Sequence, residues 1–162
     1  MSDSFKSLAE ALIIAMKNEI RVIELYTHCL KRDLSEQSRE SIKAVTRDEE
    51  RHMKMLSEVF EKKIGKKIDG AKLKDHSLKA IKNLTLEPYS IHIIDVAMGY
   101  EHREKDHFIK AQKVYGSDAD INALFVQLIA DEEAHINVLE KERKAVLGLP
   151  FEEFELDFYV RE

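Results

Sequence analysis

The chain of 162 residues is poor in the residues that build turns, disulfides and β-rich folds. It contains five glycines, two prolines and no tryptophan, a composition that disfavours sandwiches and barrels, which need many turns. Its one cysteine, Cys29, excludes an internal disulfide and any four-thiolate metal site. No apolar run approaches the ~20 residues that cross a bilayer, and the N-terminus lacks a signal-peptide profile. We therefore expect a cytoplasmic protein with no membrane partner.

Basic residues are also fewer than acidic residues. The formal net charge is −5, which disfavours nucleic acid as a partner because phosphate binding needs a basic face. Hydrophobic residues make up 44% of the chain and charged residues 35%, a balance that favours amphipathic helices. The length suits one domain that buries roughly two thirds of its unfolded surface.

Hydrophobic periodicity predicts four long helices, at about 4–31, 36–63, 89–115 and 119–147. Short breaks within each pair indicate two antiparallel hairpins, with Ser35 as the N-cap of the second helix. A crossover at about 64–88, with room for a short helix near 72–83, joins the hairpins. The predicted fold is an all-α four-helix bundle over residues 1–148. An aromatic and acidic tail, 149–162, follows, and we expect it to pack on the bundle or on a second subunit.

A repeated motif lies within these helices. Residues 48–56 read DEERHMKML and residues 131–139 read DEEAHINVL, and each string contains Glu-x-x-His. A second repeated pair precedes them, in which Ala-Met-x-x-Glu ends at Glu19 and again at Glu101. An aromatic residue follows each of these glutamates seven positions later, Tyr26 in the first copy and Phe108 in the second. The chain is therefore two copies of one helical hairpin.

Each of these polar residues occupies a gap in the apolar stripe of its helix, with the three-four spacing of a face directed at the core. We therefore expect five carboxylates and two imidazoles to meet at one level of the interior. The seven predicted metal ligands are Glu19, Glu49, His52, Glu101, Glu104, Glu132 and His135.

Such a cluster is costly if it is ionised and empty. Removing one unpaired carboxylate from water costs several kcal/mol, and five together also repel one another. Protonation, a water-filled cavity or bound cations would relieve the cost. Two divalent ions balance the charge of four glutamates, so a dinuclear metal site is the economical interpretation. We expect two iron ions, cycling between Fe²⁺ and Fe³⁺, with manganese or zinc as possible substitutes.

The ligand set resembles that of the ferritin-like di-iron carboxylate proteins, in which two helices each give one Glu and two others each give Glu-x-x-His. The residue types and their spacing are most similar to those of the rubrerythrins, over about residues 5–147. The resemblance implies that Glu49 and Glu132 bridge the two irons and that Glu19 and Glu101 are terminal carboxylate ligands. It also implies that His135 binds one iron.

Two further residues acquire catalytic roles from the same resemblance. The other iron would use His52 when reduced and Glu104 when oxidised, and Tyr26 would form a hydrogen bond within the site. The first hairpin has Val22 where the second has Glu104, so the internal repeat is broken at this carboxylate. Rubrerythrins also carry a rubredoxin-like centre held by four cysteines. This chain has one cysteine, so we expect a separate rubredoxin-like or flavoprotein-like electron donor.

The resemblance implies an enzyme, a non-haem di-iron oxidoreductase that reduces hydrogen peroxide in the response to oxidative stress, with O₂ as the other candidate oxidant. A ferritin-like role in iron oxidation and storage is one alternative. A metal-binding module without turnover is a second, and an oxygenase of an organic substrate, which would need an apolar pocket beside the irons, is a third. We expect a homodimer.

The remaining polar residues have simpler interpretations. Glu50 and Glu133 fall outside the stripes, so we expect them to support the site or lie at the surface. Cys29 is expected to pack between helices. The other five histidines lack a partner at ligand spacing and are expected to face solvent; they are His28, His76, His92, His102 and His107.

Overall fold

The computed structural model of the protein describes residues 5–73 and 90–148. The helices are α1 (Leu8–Cys29), α2 (Glu36–Ile64), the single turn α3 (Gly70–Leu73), α4 (Ser90–Tyr115) and α5 (Ala119–Val146). Those two stretches contain no strand, and the all-α prediction is confirmed.

The ends of the helices follow from local capping chemistry. Ser7 is in extended conformation and its hydroxyl accepts a hydrogen bond from the Glu10 amide, so α1 begins at residue 8 rather than near residue 4. Ser35 caps α2, as predicted, and Asp118 caps α5. Gly65 ends α2 in the left-handed region at φ 78°, which only glycine adopts without steric cost.

The helices pack in a ring in which α1 contacts α2 and α4, and α5 contacts α2 and α4. Lys63, at the end of α2, pairs with Asp118, at the start of α5, whereas Ile94 packs near Cys29 at the other end of the bundle. The end of α2 and the start of α4 therefore lie at opposite ends of the bundle. The crossover predicted at about 64–88 lies mostly outside the described residues. Most of the helix predicted near 72–83 and the tail 149–162 lie outside the described residues.

The hydrophobic core consists of two clusters separated along the bundle axis. One contains Leu12, Leu56, Phe108, Phe125 and Leu128. The other contains Val22, Val45, Ala97, Ile94 and Leu139. Buried ionisable side chains fill the layer between them. None of the helices in the described ranges is long and apolar enough to cross a membrane.

Candidate metal centre

The structure brings all seven of the sequence-predicted ligand side chains together in this middle layer. Each is at most 2% exposed, although each ionises readily in water. They are Glu19 on α1, Glu49 and His52 on α2, Glu101 and Glu104 on α4, and Glu132 and His135 on α5. The three-residue spacing within each Glu-x-x-His pair directs both side chains from one helix face.

One ligand set gathers around His52. Its Nδ1 atom lies 3.0 Å from Glu49 Oε2, 3.2 Å from Glu132 Oε1 and 3.5 Å from Glu19 Oε1. Each of the four side chains offers a ligand atom, and these atoms lie within 4.8 Å of one another. The set can therefore hold one metal ion.

A second set mirrors the first around His135. Its Nδ1 atom lies 3.0 Å from Glu49 Oε1, 3.4 Å from Glu101 Oε2 and 3.5 Å from Glu132 Oε2. Glu49 and Glu132 belong to both sets and offer one oxygen to each, which is the arrangement of bridging carboxylates. The two imidazole centroids are 5.5 Å apart, so two ions would be close neighbours.

Glu104 belongs to neither set of four. Both of its carboxylate oxygens are buried and lack a hydrogen-bond partner among the described residues. Burial raises the pKa of Glu104 well above its ordinary value, and the charge of Glu19 is the largest of the electrostatic contributions that add to it. Glu104 therefore shares the buried layer with both sets without belonging to either.

Tyr26 hydrogen-bonds within the centre, in the role expected for it. Its hydroxyl donates to Glu101 Oε1. Burial, followed by the charges of Glu101 and Glu49, raises the pKa of Tyr26 well above its ordinary value, so the phenol keeps its proton. Phe108, its counterpart in the repeat, packs in the apolar core.

Sequence reasoning missed two aspartates, each of which lies within hydrogen-bond distance of the Nε2 atom of a candidate ligand histidine. His52 Nε2 lies 3.0 Å from Asp131 Oδ2 on α5, and His135 Nε2 lies 3.3 Å from Asp48 Oδ2 on α2. Arg51 pairs with both aspartates, at 3.1 Å from Asp48 and 3.0 Å from Asp131. The available signal was the first letter of each repeated string, since both begin with Asp. A carboxylate on the outer nitrogen fixes the tautomer so that Nδ1 is free to bind a metal.

A test of fit comes from unsatisfied polar atoms. Within the described ranges, nine buried side-chain oxygens and nitrogens lack a hydrogen-bond partner, and all nine belong to this layer. Burial, with neighbouring negative charge, also raises the pKa of Glu19 and Glu101 well above the ordinary value. Such atoms cost free energy unless a cation or a proton satisfies them. A donor set of carboxylate oxygens and two imidazoles suits iron, manganese or zinc.

The two histidines and the two shared glutamates form ion pairs when no metal competes. Burial opposes the charged form of His52, but close contacts with the Glu132 and Glu49 carboxylates outweigh burial and raise its pKa to about 10. The pKa of His135 is raised by the same kind of contact. Burial likewise opposes the charge of Glu49 and Glu132, yet close contacts with both histidines lower the pKa of each. Metal binding at Nδ1 must therefore displace a proton from each histidine.

Residues that were not predicted as ligands lie outside the centre. Glu50, Glu133 and His102 are exposed, and His28 is partly exposed. Cys29 packs in the core, as expected, and burial raises its thiol pKa to about 12. The side chains of His76 and His92 are outside the described residues.

His107 corrects the expectation that the remaining histidines face solvent. It is half-buried, and its Nε2 donates to the carbonyl oxygen of Ala11 at 2.9 Å, which joins α4 to α1. Phe5 packs edge-on against its ring with centroids 5.0 Å apart. The contact depends on how α1 packs on α4, which residue spacing does not reveal.

Comparison with known proteins supplies the family. A family model described as Rubrerythrin matches residues 6–143, which span α1 to α4 and most of α5. No curated protein and no solved structure matches the chain. The match covers the fold and every residue of the centre, and it confirms the resemblance found in the sequence. The chain belongs to the rubrerythrin family.

Proposed function

We propose that this protein is a di-iron oxidoreductase that reduces hydrogen peroxide with electrons from a separate redox protein. The observation that carries the proposal is Glu104, a fifth buried carboxylate in the layer, both of whose oxygens lack a hydrogen-bond partner among the described residues. A plain metal-holding site has no need of it, because both sets of four ligand residues form without Glu104.

The ligand assignment follows the two sets. Glu19 and His52 would hold one iron, Glu101 and His135 would hold the other, and Glu49 and Glu132 would be shared by both. Two ferrous ions supply the two electrons that cleave an O–O bond, together with Lewis acidity towards the peroxide oxygens. Four ligand residues leave positions open on an ion that prefers higher coordination, which favours turnover over a purely structural module.

The surrounding residues control protons and water. Reduction of peroxide to two waters consumes two protons as well as two electrons. Glu104, whose pKa is raised by burial, can hold one of these protons on a carboxyl oxygen. Tyr26 fixes the orientation of Glu101 through its hydroxyl and stays protonated. The apolar clusters on either side of the layer keep bulk water away from the reaction.

A single-turnover measurement tests the proposal. The chain is loaded anaerobically with two Fe²⁺ and mixed in a stopped-flow instrument with hydrogen peroxide or with O₂. We expect peroxide to oxidise the Fe²⁺ sites at least about tenfold faster than O₂ does. We expect Glu104→Gln to reduce the rate with peroxide. Glu50→Gln is the matched control, because Glu50 is an exposed neighbour of a ligand and its change should leave the rate unaltered.

Equal rates with both oxidants would contradict peroxide reduction as the function. Iron storage makes a different prediction, namely a cage-forming oligomer that takes up many irons per chain. Size-exclusion mass and iron content separate the two, since the homodimer that we expect cannot enclose a mineral core.

A further inference from the structure

A cavity of about 260 Å³ opens at the end of the bundle where α1 ends and α2 begins. Its walls are mainly apolar and come from all four long helices. They include Ile42, Ile93, Ile94, Ala97 and Leu139, each at most 9% exposed. Drug-sized ligands occupy pockets of roughly 300–1,000 Å³, so this cavity suits a smaller organic molecule.

A buried carboxylate lies among these apolar walls. Glu142 on α5 is 7% exposed and accepts a hydrogen bond from the Ser38 hydroxyl across the cavity lining. A carboxylate has about four acceptor positions, and Ser38 supplies one donor. Asp33 and Arg32 also contribute to the lining, so carboxylates outnumber cations there. The polar end of an occupant would therefore meet a negatively charged acceptor.

The cavity adjoins the metal centre only through Tyr26 among the described residues. Tyr26 contributes to the lining, and its hydroxyl donates to Glu101. Cys29 lies beside it, and its raised thiol pKa, about 12, keeps the sulfur neutral, so it adds apolar surface. The lining thus includes both Glu142 and the aromatic residue that contacts the ligand layer.

We propose that this cavity binds a small primary amine, with its hydrocarbon part against the isoleucines and its ammonium group at Glu142. An ammonium donates up to three hydrogen bonds and neutralises the buried charge, whereas a carboxylate ligand of the same shape would be repelled. The binding site is formed by the fold alone and does not depend on the proposed peroxide reaction.

Three ligands of one chain length provide the test: n-hexylamine, 1-hexanol and hexanoate. Each is titrated into the full chain after chelator treatment, by calorimetry and by NMR of labelled Ile and Leu methyl groups. We expect the amine to bind at least about tenfold more tightly than hexanoate, with hexanol between them. The shifted methyl signals should be those of Ile42, Ile93, Ile94 and Leu139.

Two variants locate the site. Ile94→Trp fills the cavity and should abolish binding, whereas the matched control Val114→Trp, at an exposed position of the same helix, should not. Glu142→Gln keeps the volume and should bring the amine and hexanoate affinities within about threefold of each other, which tests the site even if Ile94→Trp does not fold. Absence of amine binding, equal affinity for hexanoate in the unaltered chain, or shifts confined to other methyl groups would overturn the proposal.

Discussion

His52 on α2 is held by Asp131 on α5, with 3.0 Å between Nε2 and Oδ2. The reverse pairing joins His135 on α5 to Asp48 on α2 at 3.3 Å. Each helix therefore carries a candidate metal ligand and the aspartate that orients the ligand of its neighbour. This exchange ties the geometry of the centre to the packing of α2 on α5.

Asp131→Asn should weaken metal binding at the set that contains His52. The neutral amide is a poorer acceptor for the Nε2 proton, so Nδ1 becomes less basic and less firmly oriented. Loss of such a partner typically costs 10–100-fold in metal affinity. Titration with Co²⁺, followed by its optical spectrum, should resolve one weakened site and one unchanged site.

Asp48→Asn should produce the complementary result at the set that contains His135. Asp106→Asn, at an exposed position of α4, is the control and should leave both affinities unchanged. If the Asp131 and Asp48 variants both bound two ions as tightly as the unaltered chain, the aspartates would have no role in orienting the histidines.

Tyr26→Phe should leave the fold intact, because the phenyl ring fills nearly the same buried volume. Glu101 would lose the hydrogen bond that it accepts, at a cost of about 1–3 kcal/mol for a buried acceptor left unpaired. We expect a lower free energy of unfolding for the metal-free protein, measured by urea denaturation with circular dichroism. Tyr115→Phe, a partly exposed tyrosine of α4, should change it by less than about 0.5 kcal/mol.

Glu104→Gln should stabilise the metal-free protein at pH 8. Because burial raises the folded-state pKa of Glu104, its contribution to stability is present at low pH and is lost as the pH rises through that folded pKa. Glutamine removes the charge that causes this loss, and its amide can donate to neighbouring carboxylates.

The gain should be about 1–3 kcal/mol at pH 8 and smaller at pH 5, as measured by urea unfolding of chelator-treated protein. The exposed Glu50→Gln should show no comparable gain at either pH. If the Glu104 variant were less stable than the unaltered chain at pH 8, the charged Glu104 carboxylate would not be destabilising the metal-free fold.

His107→Gln should flatten the acid side of the stability profile. Burial, and then the charge of Lys110, lowers the pKa of His107 below its ordinary value of 6.5. Between the folded pKa and 6.5 the unfolded chain binds more protons, so stability is lost as the pH falls through that window. Glutamine can still donate to the Ala11 carbonyl but cannot take up a proton.

Urea unfolding at pH 7.5 and pH 5 measures this effect. The difference in stability between the two pH values should be smaller in His107→Gln than in the unaltered chain. His102→Gln provides the comparison, because that histidine is exposed on the same helix. An identical pH dependence in all three proteins would exclude His107 as a contributor.

Much of the centre was predictable because helix geometry is local. The spacing of Glu49 and His52 places both on one face, and the apolar residues around them show that this face points inwards. The repeat at Glu132 and His135 then implied two matching sets. Family membership followed from the same residues, and the helix cap at Ser35 could be predicted from residue type.

The contacts between helices could not be predicted in this way. Asp48 and His52 are four residues apart on α2, yet they do not pair with each other. Asp48 contacts His135 on α5, and His52 contacts Asp131 on α5. His107 likewise reaches the Ala11 carbonyl only because α4 packs against α1 at that height.

The sequence by itself determined which side chains enter the interior and which chemistry they bring, because a period of 3.6 residues fixes the face of each helix. Only the tertiary structure decided which aspartate meets which histidine and where the Glu142 cavity opens. Those contacts depend on the axial offset and rotation of one helix against another, and these are set by the packing of the whole bundle.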